Sequence, residues 1–351
     1  MNLGAATMVT VVAKLKEIGK QIIGNGDFPP PPARTHEQES ARMKTDDTGG
    51  GDAQGHVRVL TFYDDDPDAQ HSFAIGTEQN ITTITEAFRE YNMTFFWAIP
   101  GSGISGGKPM GVWVRGKHGG LNATWRQFMS RALDKVVPLI KSGAVIGVYL
   151  GDEVVCSGVS ADDVTQVAEY TRSRIGPTAL IYLNECGGGN SWTGPGSIGK
   201  QVPAAIDIIS IDTYDLHNGT HEVIKARTFY ESTVFPRLRP HQSAFVVPGL
   251  VGSSVGHAKP GADEDRQNLV KLNGYYEWAK ADKRVTGLHP WHWWTRNKKH
   301  DPRPGPGPYY WGAEDFKLTR ARLVEIGQEM RQMDQMDSFC RGTPCWGGAP
   351  S

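Results

Sequence analysis

The sequence predicts an α/β protein built as one (β/α)8 TIM barrel, a single domain with a flexible N-terminal arm. Three observations predict it. Short β-rich runs alternate with helical patterns from Val57 onward, the mark of βαβ units and a parallel sheet. About eight such runs are present, the number a closed barrel needs. Polar and aromatic residues gather just past the ends of these runs, and the C-terminal ends of barrel strands form the face that carries chemistry. An open doubly wound sheet also alternates strands and helices, but no G-x-G-x-x-G follows the first run. The Gly-rich stretch Gly101 to Gly107 lacks the Lys and Ser/Thr pair of a phosphate loop.

The candidate strands are Val57 to Tyr63, Met93 to Ile99, a weak one at Val112 to Val114, Val145 to Leu150, Ala179 to Leu183, Ile206 to Thr213, Ala244 to Leu250 and Val285 to Leu288. Between them the clearest helix is Thr124 to Ile140, with Trp125, Phe128, Met129, Ala132, Val136 and Ile140 on one face. A second helix starts at Ser160, whose hydroxyl is placed to cap it with Asp163 three residues on. A last one covers Glu314 to Met330. Residues 56–335 are read as the barrel and 336–351 as a C-terminal tail. Ahead of the barrel, residues 1–55 combine an amphipathic helix (Met8, Val11, Val12, Leu15, Ile18, Ile22, Ile23) with a Pro- and Gly-rich linker that includes Pro29 to Pro32.

A formal net charge of −1 over 351 residues gives no electrostatic reason to expect nucleic acid or an anionic membrane. The longest apolar stretches fall short of the roughly 18 residues that cross a bilayer, and the N-terminus lacks the usual form of a secretory signal. The reading is therefore a soluble protein with its compartment open. The four cysteines contain no C-x-x-C and no tetrahedral zinc spacing. They fall into two pairs, Cys156 with Cys186 and Cys340 with Cys345. The first pair would be bridged if its strands are neighbours, which implies an oxidising compartment; two free buried thiols are the alternative.

Candidate site residues follow from side-chain alternation along the strands. The run Val145 to Glu153 is an apolar strand that stops on two carboxylates. Counting back by twos from Glu153 puts Gly151, Tyr149, Gly147 and Val145 on its face, and Asp152 on the other unless a bulge re-aims it. The same count places Asn184 with Tyr182, Asp212 and Tyr214 with Ser210, and Trp291 and Trp293 with Gly287 and His289. The first strand ends in Tyr63-Asp64-Asp65-Asp66, and the second carries Trp97. Flat aromatic rings stack on the C–H faces of a pyranose and carboxylates bind its hydroxyls. Cleavage of a glycosidic bond also needs a carboxylic acid to protonate the leaving oxygen and a second group for the cationic carbon. The expected catalytic residues are thus Glu153, Asp152 and Asp212, with Tyr63, Asp64, Trp97, Tyr149, Asn184, Tyr214, Trp291 and Trp293 binding substrate. Neither a cofactor nor a metal is expected. A metal-dependent hydrolase using Asp64 to Asp66 with His289 or His292 is the lesser alternative.

By this layout the chain resembles the glycoside hydrolases built on (β/α)8 barrels. Many of these end strand four in their acid/base glutamate, as Tyr149-Leu150-Gly151-Asp152-Glu153 does, and floor the subsite with a tryptophan on the last strand, as Gly287-Leu288-His289-Pro290-Trp291 does. Gly151-Asp152-Glu153-Val154 is also similar to the strand-four motif of family-20 β-hexosaminidases. That likeness implies Asp152 as the orienter of the substrate's acetamido group and Glu153 as the acid. The chain departs from the two-glutamate clan, because Phe245 to Val251 offers no carboxylate where the nucleophile would end strand seven. The expectation is a glycosidase acting on an oligosaccharide or glycan, by substrate assistance or by inversion with Asp212 as base. A carbohydrate-binding barrel without hydrolysis is the rival.

Overall fold

The computed structural model describes residues 59–60, 95–99, 103–105, 108–114, 119–215, 218–254, 261–291 and 309–336. The N-terminal arm, its linker and the tail beyond Met336 lie outside the described residues, as do Cys340 and Cys345.

Seven strands form one parallel sheet: β1 (Val59–Leu60), β2 (Phe95–Ala98), β7 (Val145–Asp152), β8 (Leu180–Cys186), β9 (Ile208–Asp212), β10 (Ser243–Val246) and β12 (Val285–Leu288). Their spatial order is β1-β12-β10-β9-β8-β7-β2, so from β2 to β12 each sheet strand lies beside the next in sequence, and the last one pairs with the first. This is the order of a (β/α)8 barrel, with β1 and β2 as the edges among the described residues. Two short antiparallel hairpins intervene after β2, namely β3 (Gly103–Ser105) with β4 (Lys108–Met110) and β5 (Trp113–Val114) with β6 (Gly120–Leu121). The expected weak strand at Val112 to Val114 is thus present as β5, but it does not belong to the seven-stranded sheet. Trp113 pairs with Leu121 in a hairpin, and β2 lies directly on β7. A further ribbon joins β11 (Gly252–Ser254) to β13 (Tyr309–Trp311).

The core has two layers, as a barrel requires. Inside, Leu180, Tyr182, Ile208 and Phe245 pack with Phe96 and Tyr149. Outside, Val148, Leu150, Ile181, Leu183, Ile209, Ile211, Ala244, Val246 and Leu288 pack against the helices. Helix α1 (Trp125–Lys141) buries Trp125, Met129, Ala132, Leu133, Val136 and Leu139, one stripe at helical spacing. Helix α2 (Ala161–Ile175) starts where the sequence predicts, with Ser160 Oγ accepting from Asp163 N at 3.1 Å. After the single turn α3 (Gly189–Trp192) come α4 (Gly219–Phe229), α5 (Ala262–Ala281) and α6 (Lys317–Met336). Helix α6 is capped from a distance: Asp265 accepts from Leu318 N at 2.8 Å, Thr319 N at 2.9 Å and Thr319 Oγ1 at 2.8 Å. None of the described helices is long and apolar enough to cross a membrane.

Candidate active site

The strand ends place two groups of side chains at one mouth. The first is set by a register break. Tyr149 pairs with Tyr182, but the next pair is Asp152 with Asn184, so β7 spends three residues where β8 spends two. This extra residue is a bulge, and it reverses the alternation beyond Tyr149. Gly151 makes it possible. Its φ is +158°, and a Cβ there would lie 2.5 Å from Val154 Cγ2 and 3.1 Å from Trp113 Nε1.

The bulge corrects the count by twos. Asp152, assigned to the outer face by strict alternation, turns inward to join Tyr149 and Asn184. Glu153 is carried past the strand into the left-handed region at φ 49°, its N–H donating to Asn184 O at 2.9 Å. It sits half-buried at the rim rather than in line with Tyr149.

Asp152 ends a directed chain of hydrogen bonds. Asn184 Nδ2 donates to Asp152 Oδ1 at 2.8 Å, and Ser210 Oγ donates to Asn184 Oδ1. Because the Ser210 proton is used there, the 2.6 Å contact between Ser210 Oγ and Tyr182 has the phenol as donor. Every donor thus points toward Asp152, and Tyr149 OH adds a longer contact of 3.4 Å to the same oxygen. Asn184 and Ser210 are fully buried. Such a chain directs its donors onto Asp152 as the terminal acceptor.

Asp212 ends β9 on the same side. Burial pushes its carboxyl well above the usual range, and the negative charge of Asp152 pushes it further. Tyr214 and Asn184 face the carboxylate and partly offset this, while Glu153 adds a smaller upward push. Its buried Oδ1 makes no hydrogen bond of normal geometry. The charges of Asp152 and Glu153 thus both act on Asp212 and, with burial, drive it toward the protonated state.

The second group is an aromatic platform. Tyr214 and Trp291 stack with centroids 4.9 Å apart and planes at 19°. Gly249 makes room for the stack, since a Cβ there would lie 2.6 Å from Tyr214 Cδ1. A buried ion pair braces it from below. Glu222 accepts from Asp215 N at 2.7 Å and Gly249 N at 2.9 Å, and Lys271 Nζ donates to Gly249 O at 2.9 Å while lying 3.3 Å from Glu222. Both side chains are fully buried. Burial raises the Glu222 pKa and lowers that of Lys271, and each charge opposes the other's shift.

Among the remaining expected residues, Tyr149 lies inside the barrel, its ring 5.0 Å from Tyr182. His289 is inside as well, and burial holds its pKa down at about 3, so it is a neutral imidazole packed on Tyr182. Trp97 is a correction. The β2 side chain that joins the interior is Phe96, whereas Trp97, 1% exposed, faces the helix layer with Val148, its register partner, in the same outer core. Tyr63, Asp64 to Asp66, His292 and Trp293 lie outside the described residues. Among the described residues, no group of three His, Cys, Asp or Glu side chains is placed to hold a metal ion.

Sequence reasoning missed Glu185, Glu222 and Lys271. Glu185 gave a signal, a carboxylate on the outer parity of an otherwise apolar strand. Glu222 and Lys271 gave none, because their partners are brought together only by helix packing. Cys156 and Cys186 are bridged, with Cα atoms 6.0 Å apart.

No family model matches the chain, and no curated protein sequence matches it. It is similar in structure to a GH18 chitinase from the chitin utilization locus of Flavobacterium johnsoniae, with a TM-score of 0.42 and 12% identity over 80% of this chain and 96% of that one. A chitinase from Rhizomucor miehei gives a TM-score of 0.39 and 10% identity over 71% and 87%. A GH10 xylanase from Thermobacillus composti gives 0.35 and 14% over 57% and 70%. By their names these neighbours are glycoside hydrolases.

Proposed function

We propose that this chain is a glycosidase that hydrolyses a glycosidic bond in an oligosaccharide or glycan. The observation that carries the reading is the pair of unlike carboxyl groups: Asp152 accepts from Asn184, and Asp212 is driven up by burial and by the Asp152 charge. A glycosidase needs two such carboxyl groups in different protonation states. The sequence assigned the proton to Glu153; the raised carboxyl favours Asp212 instead. In this scheme Asp212 gives its proton to the leaving oxygen as the C–O bond breaks, and Asp152 stabilises the cationic sugar carbon. Water adds to that carbon, and its proton passes to Glu153, half-buried at the rim. The Tyr214–Trp291 stack offers an aromatic edge against which a sugar ring packs. The bridged cysteines support an oxidising compartment for the working protein.

The test is a leaving-group comparison on 4-nitrophenyl glycosides and on unsubstituted oligosaccharides. Asp212→Asn is expected to lose on the order of 10²-fold or more on oligosaccharides and far less on the aryl glycosides, whose leaving group needs little protonation. The same signature in Glu153→Gln would return the acid to Glu153. Glycan binding without release of reducing ends would make the chain a carbohydrate-binding barrel.

A further inference from the structure

Glu185 stands directly after Asn184 on β8 but faces away from the mouth, fully buried. Its Oε1 accepts from Val155 N at 2.8 Å, and its Oε2 accepts from Cys156 N at 3.1 Å and Ser191 Oγ at 2.9 Å. The two amides belong to the turn that begins at Glu153. That turn starts in a costly conformation, since Glu153 has φ 49° and a side-chain-bearing residue persists in the left-handed region only when its surroundings impose it. Three contacts impose it here: Glu153 N on Asn184 O, the Cys156–Cys186 bridge, and the Glu185 carboxylate. A carboxylate with no role in the mouth would be a poor choice for this position, because burying it costs free energy that three hydrogen bonds only partly offset.

We infer that Glu185 is the positioning residue of the site, holding the Val155–Cys156 turn so that Glu153 is presented beside Asp152 and Asp212. This rests on the proposed function only for its consequence in turnover; the hold on the turn is independent of it. The carboxylate has four acceptor positions and uses three. On protonation one oxygen becomes a donor, and the negative charge that strengthens all three hydrogen bonds is lost. Burial raises the Glu185 pKa to about 7, with the three hydrogen bonds pulling down and the Asp152 charge pushing up. The groups in contact with it are Ser191 from α3 and the two turn amides, and the titratable groups whose charge acts on it across β7 are Asp152 and the Tyr149 phenol; both neighbouring cysteines are bridged and do not titrate. The hold therefore weakens as pH falls through about 7.

Amide hydrogen exchange of Val155 and Cys156, corrected for intrinsic rates, reads the hold directly, and kcat and KM on the best 4-nitrophenyl glycoside read its consequence. In the wild type, protection of the two amides is expected to fall with pH across 8 to 6. Glu185→Gln should speed their exchange at pH 7.5 by tenfold or more and abolish that pH dependence, and should lower kcat about tenfold with KM changed less than twofold. Ser191→Ala keeps the carboxylate but removes one donor, so the pH midpoint of protection should move upward. Wild-type protection in Glu185→Gln, or an unmoved midpoint in Ser191→Ala, overturns the inference. If the wild type hydrolyses no glycoside, the functional reading fails while the exchange measurement still decides the role of Glu185.

Discussion

Asp152 and Asn184 are Cα partners across β7 and β8, joined at 2.8 Å through their side chains, although Tyr149 and Tyr182 two positions earlier on β8 put the two strands one residue out of that step. The carboxylate that enters the mouth is thereby selected by backbone geometry and not by strand alternation.

The charge of Asp152 helps hold the proton on Asp212. Asp152→Asn removes it, so Asp212 should ionise at lower pH, and the alkaline limb of kcat/KM should move toward acid. A pH profile of both proteins checks this. An unmoved limb would mean that Asp212 is not the group that sets it.

Asn184→Ala takes away both the donor to Asp152 and the acceptor of Ser210 in a fully buried position. Unfolding in urea should show a loss of about 1–3 kcal/mol for the unsatisfied groups, on top of the lost packing. Turnover should fall by more than the stability loss accounts for, since Asp152 is no longer held. Wild-type turnover in a folded variant would remove Asp152 from the chemistry.

Gly151→Ala puts a methyl group where Val154 Cγ2 lies 2.5 Å away, on a backbone that side chains rarely adopt. The bulge must shift. Thermal unfolding should drop by several degrees, and activity should fall with Asp152 displaced from Asn184. A variant with the wild-type midpoint would show that the bulge tolerates a side chain.

Lys271→Met strands the Glu222 carboxylate without its cation and should cost about 3–5 kcal/mol. Pairing it with Glu222→Gln removes the isolated charge and should recover part of that loss, which a double-mutant cycle in urea measures. Equal and additive losses would show that the two side chains act independently.

Glu185 also gives stability a pH dependence of known sign. Its carboxyl is raised in the fold to about 7 from an ordinary 4.5, so the folded state binds the proton more tightly than the unfolded chain. The stability this provides is present in full below the unfolded value and is lost as pH rises through about 7. Glu185→Gln should flatten the unfolding free energy between pH 5 and 8; an unchanged slope would assign that dependence to other groups.

The barrel order was legible because alternating βαβ units leave a periodic trace, and the start of α2 was legible because Ser160 and Asp163 are a local signal. Asp212, Asn184 and Tyr149 face the side that alternation gives them, since their strands stay in register up to those residues. Alternation failed at Asp152 and Glu153, where one glycine admits an extra residue, and at Trp97, where a strand bounded by unmarked residues gave no sign of which face was inward. Glu185, Glu222 and Lys271 each have partners 22 to 49 positions away in the chain, and no local pattern encodes such long-range pairings.

The cystine between Cys156 and Cys186 spans 30 positions of sequence and so closes a ring containing all of α2 and all of β8. In the denatured chain that ring persists, and its lost freedom amounts to about 3–4 kcal/mol by loop-closure entropy. One helix and the strand that follows it thus begin refolding already tethered end to end, which makes this segment the natural place for the sheet to start growing.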